Sequence, residues 1–129
     1  MEYIIITNNR KVFNFYKETD RVIFFEKSEV TDILNLAKDK INAGHKLLSD
    51  PIIATLENND NPFKSIIVSK EFYDDNSRSQ SLMEDSLLLF QKLPFPNSSN
   101  KIEERELELF RFIDLNLLNE GIKNIELDV

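Results

Sequence analysis

The chain has 129 residues, of which 41% are hydrophobic and 30% charged, enough apolar material for one packed core and enough charge for a solvated surface, so a disordered chain is excluded. Zero cysteines exclude disulfides, thiolate metal sites, iron–sulfur clusters and cysteine nucleophiles. A net charge of −7 and a pI near 4.8, balanced over residues 1–50 and acidic beyond them, exclude a duplex nucleic-acid binder, which must neutralise phosphates with Lys and Arg.

Tyr3 to Thr7 is a short β-branched run followed at once by the turn and cap signal Asn8-Asn9, so a strand passes into a helix carrying Val12, Phe13, Phe15 and Tyr16. After the Thr19-Asp20 break, Arg21 to Glu26 reads as a second strand, completing a βαβ unit. From Glu29 to Ala43, Val30, Ile33, Leu34, Ala37 and Ile41 recur at three and four, which predicts an amphipathic helix. The chain's two glycines, Gly44 and Gly121, both follow helical segments and are expected as C-terminal caps.

Residues Leu47 to Ser65 are too long for a structureless connection inside a compact domain. Ile52-Ile53-Ala54-Thr55 is therefore expected as a strand, Leu56 to Phe63 as a polar loop, and Ser65 to Ser69 as a returning strand, the pair forming an antiparallel hairpin at a sheet edge. A third helix carries Leu82, Met83, Leu87, Leu89, Phe90 and Leu93, starts at Ser77, Ser79 or Ser81, and is ended by Pro94 and Pro96. After the loop Asn97 to Asn100, the last helix is expected from about Lys101 to Glu120, with early acids on the positive end of its dipole. Its apolar residues between 107 and 118 point almost all the way round. Either the helix is buried between sheet and neighbour, or its spare face makes a homodimer. Strands alternating with helices predict a single α/β domain over residues 1–129 with a three-layer, mainly parallel sheet.

Candidate chemistry is sparse. No G-x-G-x-x-G or P-loop is present, and one histidine rules out H-E-x-x-H. No cofactor and no metal site are expected, and acids such as Glu57, Asp60, Asp74 and Asp75 lack the glycine and closing glutamate of a calcium loop. His45 is the sole histidine, so imidazole acid/base chemistry must use it. Beside Lys46 at a helix end, it has three open readings: a bond to the last helical carbonyls, a ligand contact, or catalysis. A second constellation, Thr7-Asn8-Asn9-Arg10-Lys11, joins a strand end to a helix start, where two amides and two cations suit a carboxylate or phosphate. The plainer alternative is an asparagine cap beside solvated cations. If Ile52 to Thr55 runs parallel to the first strand, Lys64 and Ser65 face that same end, and His45 lies at the opposite one.

At Tyr3-Ile4-Ile5-Ile6-Thr7-Asn8-Asn9, Ala43-Gly44-His45-Lys46-Leu47-Leu48-Ser49-Asp50-Pro51 and Asn61-Pro62-Phe63-Lys64-Ser65, in that order, the chain resembles the GrdX family. Its members are small proteins encoded with the glycine reductase system of amino-acid-fermenting anaerobic bacteria. The resemblance spans most of the chain, with an acidic helix ending near Asp114 to Leu118. After Pro51 the chain has Ile52-Ile53-Ala54-Thr55 where the family carries small residues or glycine, so a glycine-dependent backbone contact is not expected there. The resemblance implies no catalytic role, and marks Asn8, Asn9, His45, Lys46, Lys64 and Ser65 as positions of a site without assigning them chemistry. It implies an accessory or regulatory protein binding a small anion or a protein of that system. The residue-based alternative is a small enzyme using His45 or Lys64 as acid/base on an amino-acid-derived or phosphorylated substrate. Apolar runs as short as Ile4 to Ile6 and Val22 to Phe25 fall far below the ~18 residues of a membrane span, and Met1-Glu2-Tyr3-Ile4 lacks a secretory leader. A cytoplasmic protein is expected.

Overall fold

The computed structural model describes residues 2–49, 61–92 and 102–127. Strand β1 (Tyr3–Thr7) leads into helix α1 (Arg10–Tyr16), strand β2 (Arg21–Phe24), helix α2 (Val30–Asn42) and strand β3 (His45–Leu47). Strand β4 (Ser65–Phe72), helix α3 (Ser77–Lys92) and helix α4 (Glu104–Leu127) follow. The four strands are ordered β2-β1-β4-β3.

β1 and β4 are the inner strands, and the side chains of β1 alternate between two apolar clusters. Ile4, Ile6, Ile66 and Val68 pack with Ile33, Leu34, Ala37 and Ile41 of α2 and with Met83 and Phe90 of α3. Ile5 and Ile67 face the other way, onto Val12 and Tyr16 of α1 and Leu115, Leu118 and Ile122 of α4. Helices on both faces explain why Ile4-Ile5-Ile6 shows no polar alternation: neither face of β1 meets water. Each fully buried isoleucine contributes roughly 1.5–3 kcal/mol by leaving solvent.

The sheet corrects the expectation of a mainly parallel architecture. β1 and β2 are parallel, as a βαβ unit requires, but β4 runs antiparallel to β1, pairing Thr7 with Ser65 and Tyr3 with Ser69, and β3 runs antiparallel to β4. The result is a mixed sheet with one parallel pair. Apolar periodicity announces that strands exist, but is the same for either direction. The edge hairpin is corrected too, because β4 is an inner strand and its edge neighbour is His45–Leu47. The expected strand Ile52 to Thr55, its loop as far as Asp60, the Pro94 and Pro96 stop, and the loop 97–100 lie outside the described residues.

The two glycines part company. Gly44 has φ 121 at the end of α2, as its cap reading requires. Gly121 lies inside α4, which continues to Leu127, and an added Cβ there would sit 3.7 Å from Ile67 Cδ1. That is an ordinary contact, so the packing of α4 over β4 does not require a glycine here, and Gly121 does not end the helix.

Candidate functional site

The C-terminal end of β1 and the start of β4 form one corner of the sheet. Thr7 and Ser65 are register partners, and their hydroxyls lie 2.7 Å apart. Asn8 and Asn9 leave this corner buried, with 2% and 0% exposure. Their side chains are spent on the protein itself. Asn8 Nδ2 donates to the carbonyls of Ser28 and Pro62 at 2.8 and 3.0 Å, and Asn8 Oδ1 accepts from the Lys64 backbone N–H at 2.8 Å. Asn9 caps α1 by accepting from the Lys11 N–H at 3.0 Å, while its Nδ2 donates to the Arg111 carbonyl and to Asp114 Oδ2. Each amide thereby uses both N–H groups and its oxygen.

Asp114 projects from α4 onto this corner. Its Oδ2 accepts from Ser65 Oγ at 2.7 Å and from Asn9 at 3.0 Å, and Thr7 Oγ1 accepts from the Asn9 N–H. Burial raises the Asp114 carboxyl above its ordinary value; hydrogen bonds from Asn9 and Ser65 and the charge of Lys64 oppose that rise. Lys64 is itself buried, at 5% exposure. The arrangement joins a helix, two strand ends and the segment before β4 through one carboxylate, a network whose members are costly to orphan in a low-dielectric setting.

Around the corner lies a rim of charge. Arg111, 7% exposed, donates through Nη1 to Glu104 at 2.8 Å and approaches Glu108 at 3.5 Å, with its guanidinium 5.0 Å from the Phe63 ring centroid. Arg10 reaches the same Glu104 oxygen at 3.3 Å, and Lys11 reaches Glu108 at 2.8 Å. The hydrogen bond from Lys11 is the main cause of a lowered Glu108 carboxyl. Arg111 Nε is buried without a hydrogen-bond partner among the described residues.

His45 and Lys46 are elsewhere. His45 pairs with Phe72 at the far end of β4, whereas Ser65 at the near end pairs with Thr7. The two groups of candidate residues therefore occupy opposite ends of the sheet. His45 Nδ1 lies 2.6 Å from the Ser69 carbonyl, and since a carbonyl only accepts, Nδ1 carries the proton. The ring stacks at a tilt on Phe72, 4.4 Å between centroids. The helical carbonyl of Ile41 that an imidazole cap would seek receives the Gly44 N–H and Asn76 Nδ2. Lys46 lies with its ammonium 4.3 Å over the Tyr73 ring, and its N–H donates to Ser69 Oγ.

Of the expected site residues, Asn8, Asn9, Arg10, Lys64 and Ser65 come together, and His45 and Lys46 do not join them. Two residues central to the corner, Arg111 and Asp114, escape the sequence reading. A signal exists: Arg111, Leu115, Leu118 and Ile122 follow one helical stripe, and all four are buried. A charge inside an apolar stripe asks for a buried partner. Among the described residues no group of three His, Asp or Glu side chains is gathered as a metal site, and no helix is long and apolar enough to cross a membrane.

Comparison with curated proteins and with solved structures returned no match. A family model described as GrdX-like protein matches residues 4–123. That span contains the whole β1–β4 corner and α4 through Ile122, and on it the chain belongs to the GrdX-like protein family.

Proposed function

We propose that this protein is a non-catalytic accessory protein of the glycine reductase system, acting by contact with a protein of that system. The family carries the association. The observation that carries the non-catalytic reading is the use of Asn8 and Asn9: every hydrogen-bonding group of both amides is engaged by the protein's own backbone or by Asp114. Side chains so committed hold a shape, and a ligand would have to break buried bonds to recruit them. His45 supports the same reading, since Nδ1 is bound to a strand carbonyl and the ring is packed on Phe72.

The test is complex formation between the full chain and each purified component of glycine reductase, followed by light scattering on a sizing column. A defined mixed complex is the expected result. Absence of any complex, together with turnover of an amino-acid-derived or phosphorylated compound that is lost in Lys64→Ala or His45→Ala, would replace this reading with the enzymatic one. The self-association expected of residues 107–118 has its candidate contact in Leu109 and Phe112, exposed by 57% and 52%. The same experiment on Phe112→Glu separates a homodimer from a mixed complex.

A further inference from the structure

Arg111 is a buried cation whose counter-ions are not buried. Its side chain is 9% exposed, against 67% for Glu104 and 50% for Glu108. A guanidinium withdrawn from water must be neutralised, yet the carboxylates that neutralise it are solvated, and an ion pair with an exposed member is weakly held. Arg10 and Lys11 bring two further cations to the same pair of acids, so three cations share two carboxylates in a chain of net charge −7.

The hydrogen-bond geometry points the same way. Glu104 offers a single oxygen, Oε1, to both Arg111 Nη1 and Arg10 Nη2. Arg111 Nε meanwhile has no acceptor among the described residues, although its residue is more than nine-tenths buried. Arginine binds carboxylates best through two parallel N–H···O bonds, and an unmet buried donor carries a free-energy cost that a second acceptor oxygen would remove. The guanidinium carbon also lies 5.0 Å from the Phe63 ring centroid, a cation–π contact that helps to hold the side chain in place.

We propose that the Arg10, Lys11 and Arg111 cluster is a binding site for a small carboxylate, and that Glu104 occupies it as a displaceable internal counter-ion. An incoming carboxylate takes the place of the Glu104 group and fills the hydrogen-bonding capacity of the guanidinium that Glu104 leaves open. Asn9 supports this site through its bond to the Arg111 carbonyl and is not its ligand. This goes beyond the accessory reading and does not depend on the partner being found.

The test is an amide NMR titration of the full chain with sodium acetate at constant ionic strength, with sodium phosphate as a second arm, on wild type, Glu104→Gln and Arg10→Gln. Each spectrum also reports that the variant is folded. Saturable shifts centred on Arg10, Lys11 and Arg111 are expected, tightened by up to roughly fivefold in Glu104→Gln as the internal competitor is lost, and weakened in Arg10→Gln. Unsaturable shifts, shifts centred elsewhere, or an affinity that Glu104→Gln leaves unchanged would overturn the proposal. Tighter binding of phosphate than of acetate would overturn the carboxylate assignment.

Discussion

Asp114 on α4 accepts a hydrogen bond of 2.7 Å from Ser65 at the start of β4, 49 residues earlier in the chain. Asn9 of the β1–α1 turn donates to the same carboxylate oxygen across 105 residues. One buried carboxyl therefore ties the last helix to the first turn and to an inner strand.

That carboxyl has a readable pH signature. Burial raises Asp114 above its ordinary value of 3.8 in the folded state, so between the raised value and 3.8 the folded chain binds more protons than the unfolded one. This group's contribution to stability therefore grows as pH falls through that window, is complete below 3.8, and is lost as pH rises through the folded value. Urea unfolding of wild type and Asp114→Asn across acidic pH should show wild type gaining on the variant as pH falls. Parallel pH profiles would place the Asp114 proton elsewhere.

Asn8→Ala and Asn9→Ala remove buried partners without removing the backbone groups they satisfy. Each is expected to cost about 1–3 kcal/mol in denaturant unfolding, the Asn9 loss including its cap on α1. A change within 0.5 kcal/mol in absolute value, roughly that of an ordinary surface substitution, would show that water replaces these bonds freely.

The two glycines should respond with opposite signs. Gly44→Ala places a Cβ 3.1 Å from Phe72 Cδ1 on a backbone with φ 121, and a loss of about 1–3 kcal/mol is expected. Gly121→Ala meets Ile67 Cδ1 at 3.7 Å, an ordinary contact inside a helix, so a gain of about 0.5–1 kcal/mol is expected. Thermal melts of the two variants beside wild type decide both.

His45→Ala withdraws the donor that satisfies the Ser69 carbonyl and the ring that packs on Phe72. A stability loss of about 1–3 kcal/mol is expected, with binding of a glycine reductase component retained. A variant as stable as wild type that no longer forms the complex would move His45 from the scaffold to the contact surface.

Several elements are legible in the residues alone. The β1 run, the amphipathic spacing of α2 and the asparagine cap before Arg10 are local patterns, and the structure places β1 at Tyr3–Thr7, α2 at Val30–Asn42 and the cap at Asn9. β3 is not legible, because its three residues, His45-Lys46-Leu47, have no period to detect, and their strand geometry comes from pairing with β4. The last helix is read with the wrong end because Gly121 looks like a stop, whereas Ile122 beyond it is buried against the sheet and draws the helix on.

The residues by themselves determined that Asn8, Asn9, Arg10, Lys64 and Ser65 carry polar groups near strand ends, since composition and local spacing suffice for that; the separation of His45 from them depended on strand direction, which periodicity does not encode. Only the tertiary structure decided what those groups meet. The direction of β4 brings Ser65 beside Thr7, and the docking of α4 delivers Asp114 to Asn9 and Arg111 to Glu104 and Phe63. Hydrogen bonds and ion pairs reach only a few ångströms, so whether an asparagine binds a ligand or its own backbone depends on which distant segment arrives at that distance.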